Sequence, residues 1–372
     1  MNTSANLRKV VLLFMVIFAT TIGFYSCDND TDPIVEETAV WDKTPYNLIA
    51  TNFPPANLKA DNPLTVEGVR LGRMLFYEPK LSKDNRLTCG GCHRQENAFT
   101  DVAKFSRGVG GALGLRNSMS VFNMAWNRSS FFWDGRAELL RHQALMPIQD
   151  DLEMDETLEN VISKLKADTK YKNQFIRAFG TDKITDTLIS FALEQFMMTI
   201  VSNNSKYDKF VAKELTLSES EERGRKLFFT EYDPFMPANS GADCAHCHGG
   251  NNFDNQRFFN NGLFTDAERT DLGLENVTKR PGDKGKFKTV SLRNITLTAP
   301  YMHNGQFTNL RDVVNHYNSG LKPSPTLDPA LERTRGTGLG LTESQIDDLI
   351  AFLKTLEDPT LLSNKEYSNP FR

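Results

Sequence analysis

The chain has 372 residues and a formal net charge of −4, with 24% charged side chains and no basic run. That balance excludes an electrostatic nucleic-acid binder, and mild acidity suits a basic redox protein as partner. Of five cysteines, four fall into two compact motifs and the fifth lies near the N-terminus.

Residues 1–27 read as an export signal. Arg8 and Lys9 give the positive region, and Val10 to Phe24 is an apolar stretch too short to be a convincing membrane span. It ends in Gly23-Phe24-Tyr25-Ser26-Cys27, which resembles a bacterial lipobox with Cys27 as the lipidated N-terminus. The alternatives are an uncleaved anchor or an ordinary signal with a stray cysteine. Each of these takes the chain out of the cytoplasm. The lipobox reading places it on the periplasmic side, anchored to a membrane, the outer one by preference. Residues 28–65 form a polar tether and lead-in. About 345 residues remain after the signal, enough for two domains.

The first motif is Cys89-Gly90-Gly91-Cys92-His93, and the second is Cys244-Ala245-His246-Cys247-His248. A zinc half-site, a redox dithiol and a disulfide all use Cys-x-x-Cys, but none has a use for a histidine directly after the second cysteine. Twice over, that histidine is the signature of covalent haem c. Cys89, Cys92, Cys244 and Cys247 are then the thioether carriers, and His93 and His248 ligate iron on one face. His246, between the motif cysteines, points to solvent in this reading.

The resemblance between the halves extends beyond the motifs. Leu71-Gly72-Arg73-Met74-Leu75-Phe76 precedes the first, and Arg223-Gly224-Arg225-Lys226-Leu227-Phe228 precedes the second. Leu115-Arg116-Asn117 is echoed by Leu292-Arg293-Asn294, and Trp133-Asp134-Gly135-Arg136 by His303-Asn304-Gly305-Gln306. A domain-scale duplication follows, with an N-terminal haem domain over 66–215, a C-terminal haem domain over 216–360 and a tail over 361–372.

The local signals are helical. Ile184 to Val201 reads as a largely buried helix, and Ser218-x-x-Glu221 and Thr342-x-x-Gln345 are capping boxes. The second opens an amphipathic run with Ile346, Leu349, Ile350 and Leu353 on one face. Segments 106–118 and 249–262 read as loops packed over haem. No useful alternation of a strand appears. The predicted fold is all-α, two tandem cytochrome c-like domains with long haem-packing loops.

With these motifs in place, the chain resembles the bacterial di-haem cytochrome c peroxidase and MauG superfamily over about residues 66–358. Arg116-Asn117-Ser118, Phe132-Trp133-Asp134-Gly135-Arg136, Gln143…Pro147…Glu153-Met154 and Pro300-Tyr301-Met302-His303-Asn304-Gly305 carry the likeness. The resemblance implies that the N-terminal haem reacts with hydrogen peroxide while the C-terminal haem receives electrons from a small donor protein, a cytochrome c or cupredoxin. It implies Glu153 as catalytic carboxylate, Gln143 as its amide partner and Trp133 as electron relay. It also implies a calcium ion held by Asn117, Thr298 and Pro300, and leaves room for a homodimer. On composition alone, Glu153 would be a solvated carboxylate in an acidic stretch, and Trp133 a core residue.

Two positions depart from the commonest pattern. Val109 stands where many members place a histidine that caps the N-terminal iron, so His93 is its only predicted protein ligand, with His142 or Met119 as outside possibilities. Tyr317 lies fourteen residues beyond His303, where a methionine is common. A tyrosine there resembles MauG-type members and makes Tyr317 the second ligand of the C-terminal iron, with Met302 and His316 as alternatives. His303 is expected to be structural. MauG itself carries a tryptophan two residues before its second motif; here that position is Ala242. The leading function is therefore a peroxidase reducing hydrogen peroxide to water. A MauG-like oxidation of a partner protein and a plain di-haem electron carrier are the alternatives.

Overall fold

The computed structural model describes residues 38–372. The signal sequence and Cys27 lie outside the described residues. Residues 39–372 form one compact unit. Among the described residues no helix is long and apolar enough to cross a membrane.

The chain is helix-rich. The main helices are α1 (Val66–Phe76), α2 (Leu140–Gln149), α3 (Leu158–Lys166), α4 (Thr169–Phe179), α5 (Asp186–Thr199), α6 (Lys206–Val211), α7 (Glu219–Phe229), α8 (Leu310–Ser319) and α9 (Glu343–Lys354). Among the described residues the named strands are β1 (Phe258–Phe259) and β2 (Phe287–Lys288), paired antiparallel with Phe258 opposite Lys288 and Phe259 opposite Phe287. Such a ladder is too short to organise a fold. Its role is to tie the loop after the second motif to the segment that carries Val290.

Local chemistry explains the helix ends. Both predicted capping boxes form, Ser218 with Glu221 at α7 and Thr342 with Gln345 at α9, so two otherwise orphan N–H groups are satisfied at each start. The helix expected over Ile184–Val201 runs from Asp186 to Thr199 and is buried nearly all round. A helix apolar on every side needs partners on every side. It packs on α1, α2 and the short turn at Met124–Trp126.

Two cores result. One gathers α1 to α5 around Phe76, Phe99, Phe175 and Phe196. The other gathers α7 and α9 around Phe228, Phe253 and Phe352. The segment set apart as a tail, 361–372, returns to the first core. Leu361 and Tyr367 are buried there, Tyr77 Oη donates to Tyr367 O at 2.7 Å, and Arg73 Nε donates to Ser368 O at 2.7 Å.

The halves share unusual local geometry. Asn123 and Asn294 are both left-handed and both open a single 3-10 turn. Phe131 bridges Ala137 as Tyr301 bridges Phe307, and inside these loops Phe132 and Met302, then Gly135 and Gly305, have positive φ. Trp133 and His303 are therefore equivalent, as the sequence echo has it. The echo of Leu115-Arg116-Asn117 in Leu292-Arg293-Asn294 is corrected: backbone geometry makes Asn123 the counterpart of Asn294. A three-residue identity misled because it carries little information beside a shared turn.

The same glycine also sits at the helix crossing of each half. A Cβ on Gly72 would lie 1.9 Å from Ala192 O of α5, and one on Gly224 would lie 1.9 Å from Asp348 O of α9. Only glycine lets these backbones approach so closely. Gly224→Ala must push α7 off α9, at a cost of about 1–3 kcal/mol. The expected result is a lower urea midpoint with an unchanged slope; an unchanged midpoint would show that the crossing adjusts freely.

Candidate haem sites

Each Cys-x-x-Cys-His motif forms a tight turn. Cys89–Cys92 is one helical turn, and His93 N donates to Cys89 O at 2.8 Å. Cys244–His246 is a 3-10 turn, and His248 N donates to Cys244 O at 2.9 Å. At the first motif the turn brings both cysteines and the imidazole to one cavity.

The histidines are held through Nδ1. His93 Nδ1 faces Phe99 O at 3.1 Å, with Ser118 Oγ at 3.4 Å. His248 Nδ1 faces Val290 O at 3.1 Å and Phe253 O at 3.3 Å. Carbonyls only accept, so Nδ1 carries the proton and Nε2 keeps its lone pair for a metal. Burial lowers both histidine pKa values, that of His248 to about 4, so both rings are neutral at pH 7. Phe99 and Phe253 are themselves left-handed, at φ 60° and 52°. For a bulky residue that conformation is costly, and it turns each carbonyl toward its histidine.

The bland alternatives fit poorly. All four described cysteines are free thiols, and burial pushes Cys89, Cys244 and Cys247 up to about 12. A thiol raised by burial is neither a reactive dithiol nor a ready zinc thiolate. Among the described residues no group of three or more Cys, His, Asp or Glu could hold a metal ion. Two thiols and one neutral imidazole on the wall of an apolar cavity do fit haem c.

That cavity, of about 810 Å³, is lined by Cys89, Cys92, His93, Gln143, Pro147 and Glu153, and continues past Trp133 to Asn117, Thr298 and Pro300. Pro147 lies inside α2, where its missing N–H leaves the Gln143 carbonyl without a helical partner. The chain then folds back: Glu153 N donates to Asp150 O at 3.0 Å and Met154 N to Pro147 O at 3.1 Å. This return brings Glu153 into the cavity with Gln143. Burial, then the nearby Asp150, raises the Glu153 pKa, while Arg136 pulls it down. Val109 lies on a loop whose N–H donates to Glu153 O at 2.8 Å. His142 faces outward and exposed, whereas Met119 lines the cavity.

Trp133 sits where the halves meet. Its Nε1 donates to Asn117 O at 2.8 Å, its carbonyl accepts from Lys288 N at 2.8 Å, and its ring lies edge-on to His303 at 6.5 Å. His303 is stacked on Phe287 at 3.6 Å, and its carbonyl accepts from Asn117 N at 2.8 Å. Arg116 spans the seam, bonding Asp134 at 2.6 Å and Asp271 at 2.7 Å.

Near the second motif, Asn261 organises three candidate ligands. Its Nδ2 reaches Met302 Sδ at 3.3 Å and Tyr317 Oη at 3.4 Å, and its carbonyl faces His316 Nε2 at 2.9 Å. His316 is thereby committed to backbone. Burial raises the Tyr317 pKa to about 12, so a phenolate there needs a metal cation to form. His246 is exposed, 3.8 Å from Asp328. Ala242 is buried, its N–H donating to Leu227 O at 2.8 Å.

The roles of Phe99 and Phe253 were not read from the sequence. The one available signal was an aromatic residue recurring six and five positions after the motif histidine. Asp271, the C-terminal half's carboxylate on Arg116, had no signal at all.

A family model described as di-haem cytochrome c peroxidase matches residues 66–216. The chain is similar to methylamine utilization protein MauG of Methylophilus methylotrophus, 32% identical over 305 residues, covering 81% of this chain and 85% of that one. It is similar to cytochrome c551 peroxidase of Nitrosomonas europaea, 31% identical over 314 residues, covering 83% and 85%. A crystal structure of a MauG-like protein associated with microbial copper homeostasis superposes with a TM-score of 0.78 at 33% identity, covering 88% of this chain and all of that one. The two Cys-x-x-Cys-His turns and this likeness agree: the chain belongs to the di-haem cytochrome c peroxidase family.

Proposed function

We propose that the protein is a di-haem c peroxidase that reduces hydrogen peroxide to water with electrons from a small redox protein. The observation that carries this reading is Gln143 and Glu153 on the wall of the cavity that also holds Cys89, Cys92 and His93. An electron carrier has no use for a half-buried carboxylate on the wall of its haem cavity.

When bound, the two haems supply the redox chemistry that breaks the O–O bond and carries electrons to it. Reduction of one peroxide to two waters takes two electrons and two protons, and the chain must handle the protons. Cys89, Cys92 and His93 would hold the reactive haem; Cys244, Cys247 and His248 the electron-receiving one. Glu153 accepts a proton from one peroxide oxygen at its carboxylate and returns it to the departing oxygen, while the Gln143 amide holds the peroxide by hydrogen bonding. Val109 cannot ligate and His142 is exposed, so of the outside candidates only Met119 stands on the cavity wall; in this reading it does not ligate and the side facing Glu153 would stay open to peroxide. Trp133, bonded to both halves, would relay electrons between them. Asn117, Thr298 and Pro300 share the cavity near Trp133 and offer the neutral oxygens a calcium ion takes. Lipid anchoring at Cys27 on the periplasmic side belongs to the same reading.

Tyr317 favours a second reading, a MauG-like oxidation of a partner protein, because a hard oxygen donor stabilises oxidised iron. The buried Ala242 weighs against it, since no tryptophan stands there to carry oxidation outward.

Glu153→Gln removes the proton carrier but keeps the shape. Peroxide consumption should fall by about 10²–10⁴-fold; wild-type rates in the variant would restore the electron-carrier reading. The ionised carboxylate is the working form, and its pKa is raised. The rate should therefore fall as pH drops through a value above 4.5, and that acid limb should be missing from the residual rate of Glu153→Gln. For the second haem, Tyr317→Phe should change the low-spin electron paramagnetic resonance signal and raise the potential, with Met302→Leu leaving both alone. The reverse pattern would make Met302 the ligand.

A further inference from the structure

Among the described residues four Lys or Arg side chains are buried: Arg141, Arg269, Lys288 and Arg293. Burying a cation is expensive unless an anion accompanies it. Two have one. Arg141 meets Asp61 at 2.8 Å and Glu194 at 3.0 Å, and Arg293 meets Asp208 at 2.7 Å. Arg269 and Lys288, each 9% exposed, have no carboxylate within 4.0 Å.

Their hydrogen bonds are few and neutral. Lys288 Nζ donates to Asn127 Oδ1 at 2.9 Å and Ser130 O at 2.6 Å, leaving its third proton unused. Arg269 Nη2 donates to Phe264 O at 3.0 Å, while its buried Nε has no partner. Nearby carboxylates are engaged elsewhere. Asp266 holds Ser324 and Lys284, and both oxygens of Asp271 hold Arg116. Asp254 is within the field of Lys288, yet burial pushes it up to about 6, whereas a close ion pair would depress it. Burial likewise pulls Lys288 down to about 8 and lowers Arg269. Gly285 is shaped around Arg269, since a Cβ there would lie 2.0 Å from its guanidinium nitrogen Nη1.

Haem carries two carboxylates, and these sites lack anions. We infer that Lys288 and Arg269 anchor haem propionates, Lys288 for the haem of the first motif and Arg269 for that of the second. Lys288 lines the first cavity from the C-terminal half. Arg269 lies outside it, bonded to Phe264 on the loop that brings Asn261 to Tyr317 and Met302. This rests on the haem assignment and not on peroxide chemistry.

The test is a spectroelectrochemical titration of the full-length holoprotein without peroxide, so it is independent of whether the protein is a peroxidase. A cation beside haem disfavours Fe(III), and removing it favours Fe(III). Lys288→Met should shift the first haem about tenfold toward Fe(III) at fixed potential, about 59 mV for one electron, with the second unmoved. Arg269→Met should do the converse. Lys288→Arg and Arg269→Lys should restore the wild-type values. Resonance Raman of the unmutated protein needs no variant: its propionate bending modes should be those of strongly hydrogen-bonded carboxylates. Unshifted potentials in fully loaded Met variants, with or without lost stability, would overturn the assignment. So would unbonded propionate modes in the unmutated protein.

Discussion

Everything at the two sites depends on one kind of hydrogen bond: the motif histidine donates Nδ1–H to backbone carbonyl, that of left-handed Phe99 at the first site and those of Val290 and left-handed Phe253 at the second. The bond fixes the tautomer, and the tautomer frees Nε2. Without it the imidazole could rotate, and two cysteines would tether a haem whose iron had no fixed partner. Strain at Phe99 and Phe253, of about 1–3 kcal/mol each, is offset by burying both rings fully in the two cores. The cores thus do more than stabilise. They hold the carbonyls that aim the ligands.

The seam between the halves follows the same logic. Trp133 is fixed at its indole by Asn117 and at its backbone by Lys288. Arg116 crosses to Asp271, and Asn117 crosses to the carbonyl of His303. The bonds of Lys288 to Trp133, Arg116 to Asp271 and Asn117 to His303 each join the two halves, so a polar lattice and not the linking chain holds them together. The proposed electron relay through Trp133 needs that fixed spacing.

What could be read from sequence was local. Ser218 and Thr342 announce their helices because a capping box is complete within four residues. The haem motifs are equally compact, and likeness to a family extends them to Glu153, Gln143 and Tyr317. Contacts made only in three dimensions were not legible. Nothing near Phe99 says that its carbonyl will face a histidine. Lys288 reads as one more surface lysine until the fold buries it. The mispairing of Asn117 with Asn294 shows the same limit, since a turn recurs in geometry that a tripeptide does not encode.

The central claim is that the first iron keeps an open face beside a proton-carrying glutamate while the protein is fully oxidised. Rapid mixing of the fully oxidised di-haem protein with one equivalent of hydrogen peroxide, followed across the visible and near-infrared, tests it most directly. The account predicts prompt spectral change without prior reduction. No change until one haem is reduced would reveal a hidden ligand on that face and contradict the assignment of Val109.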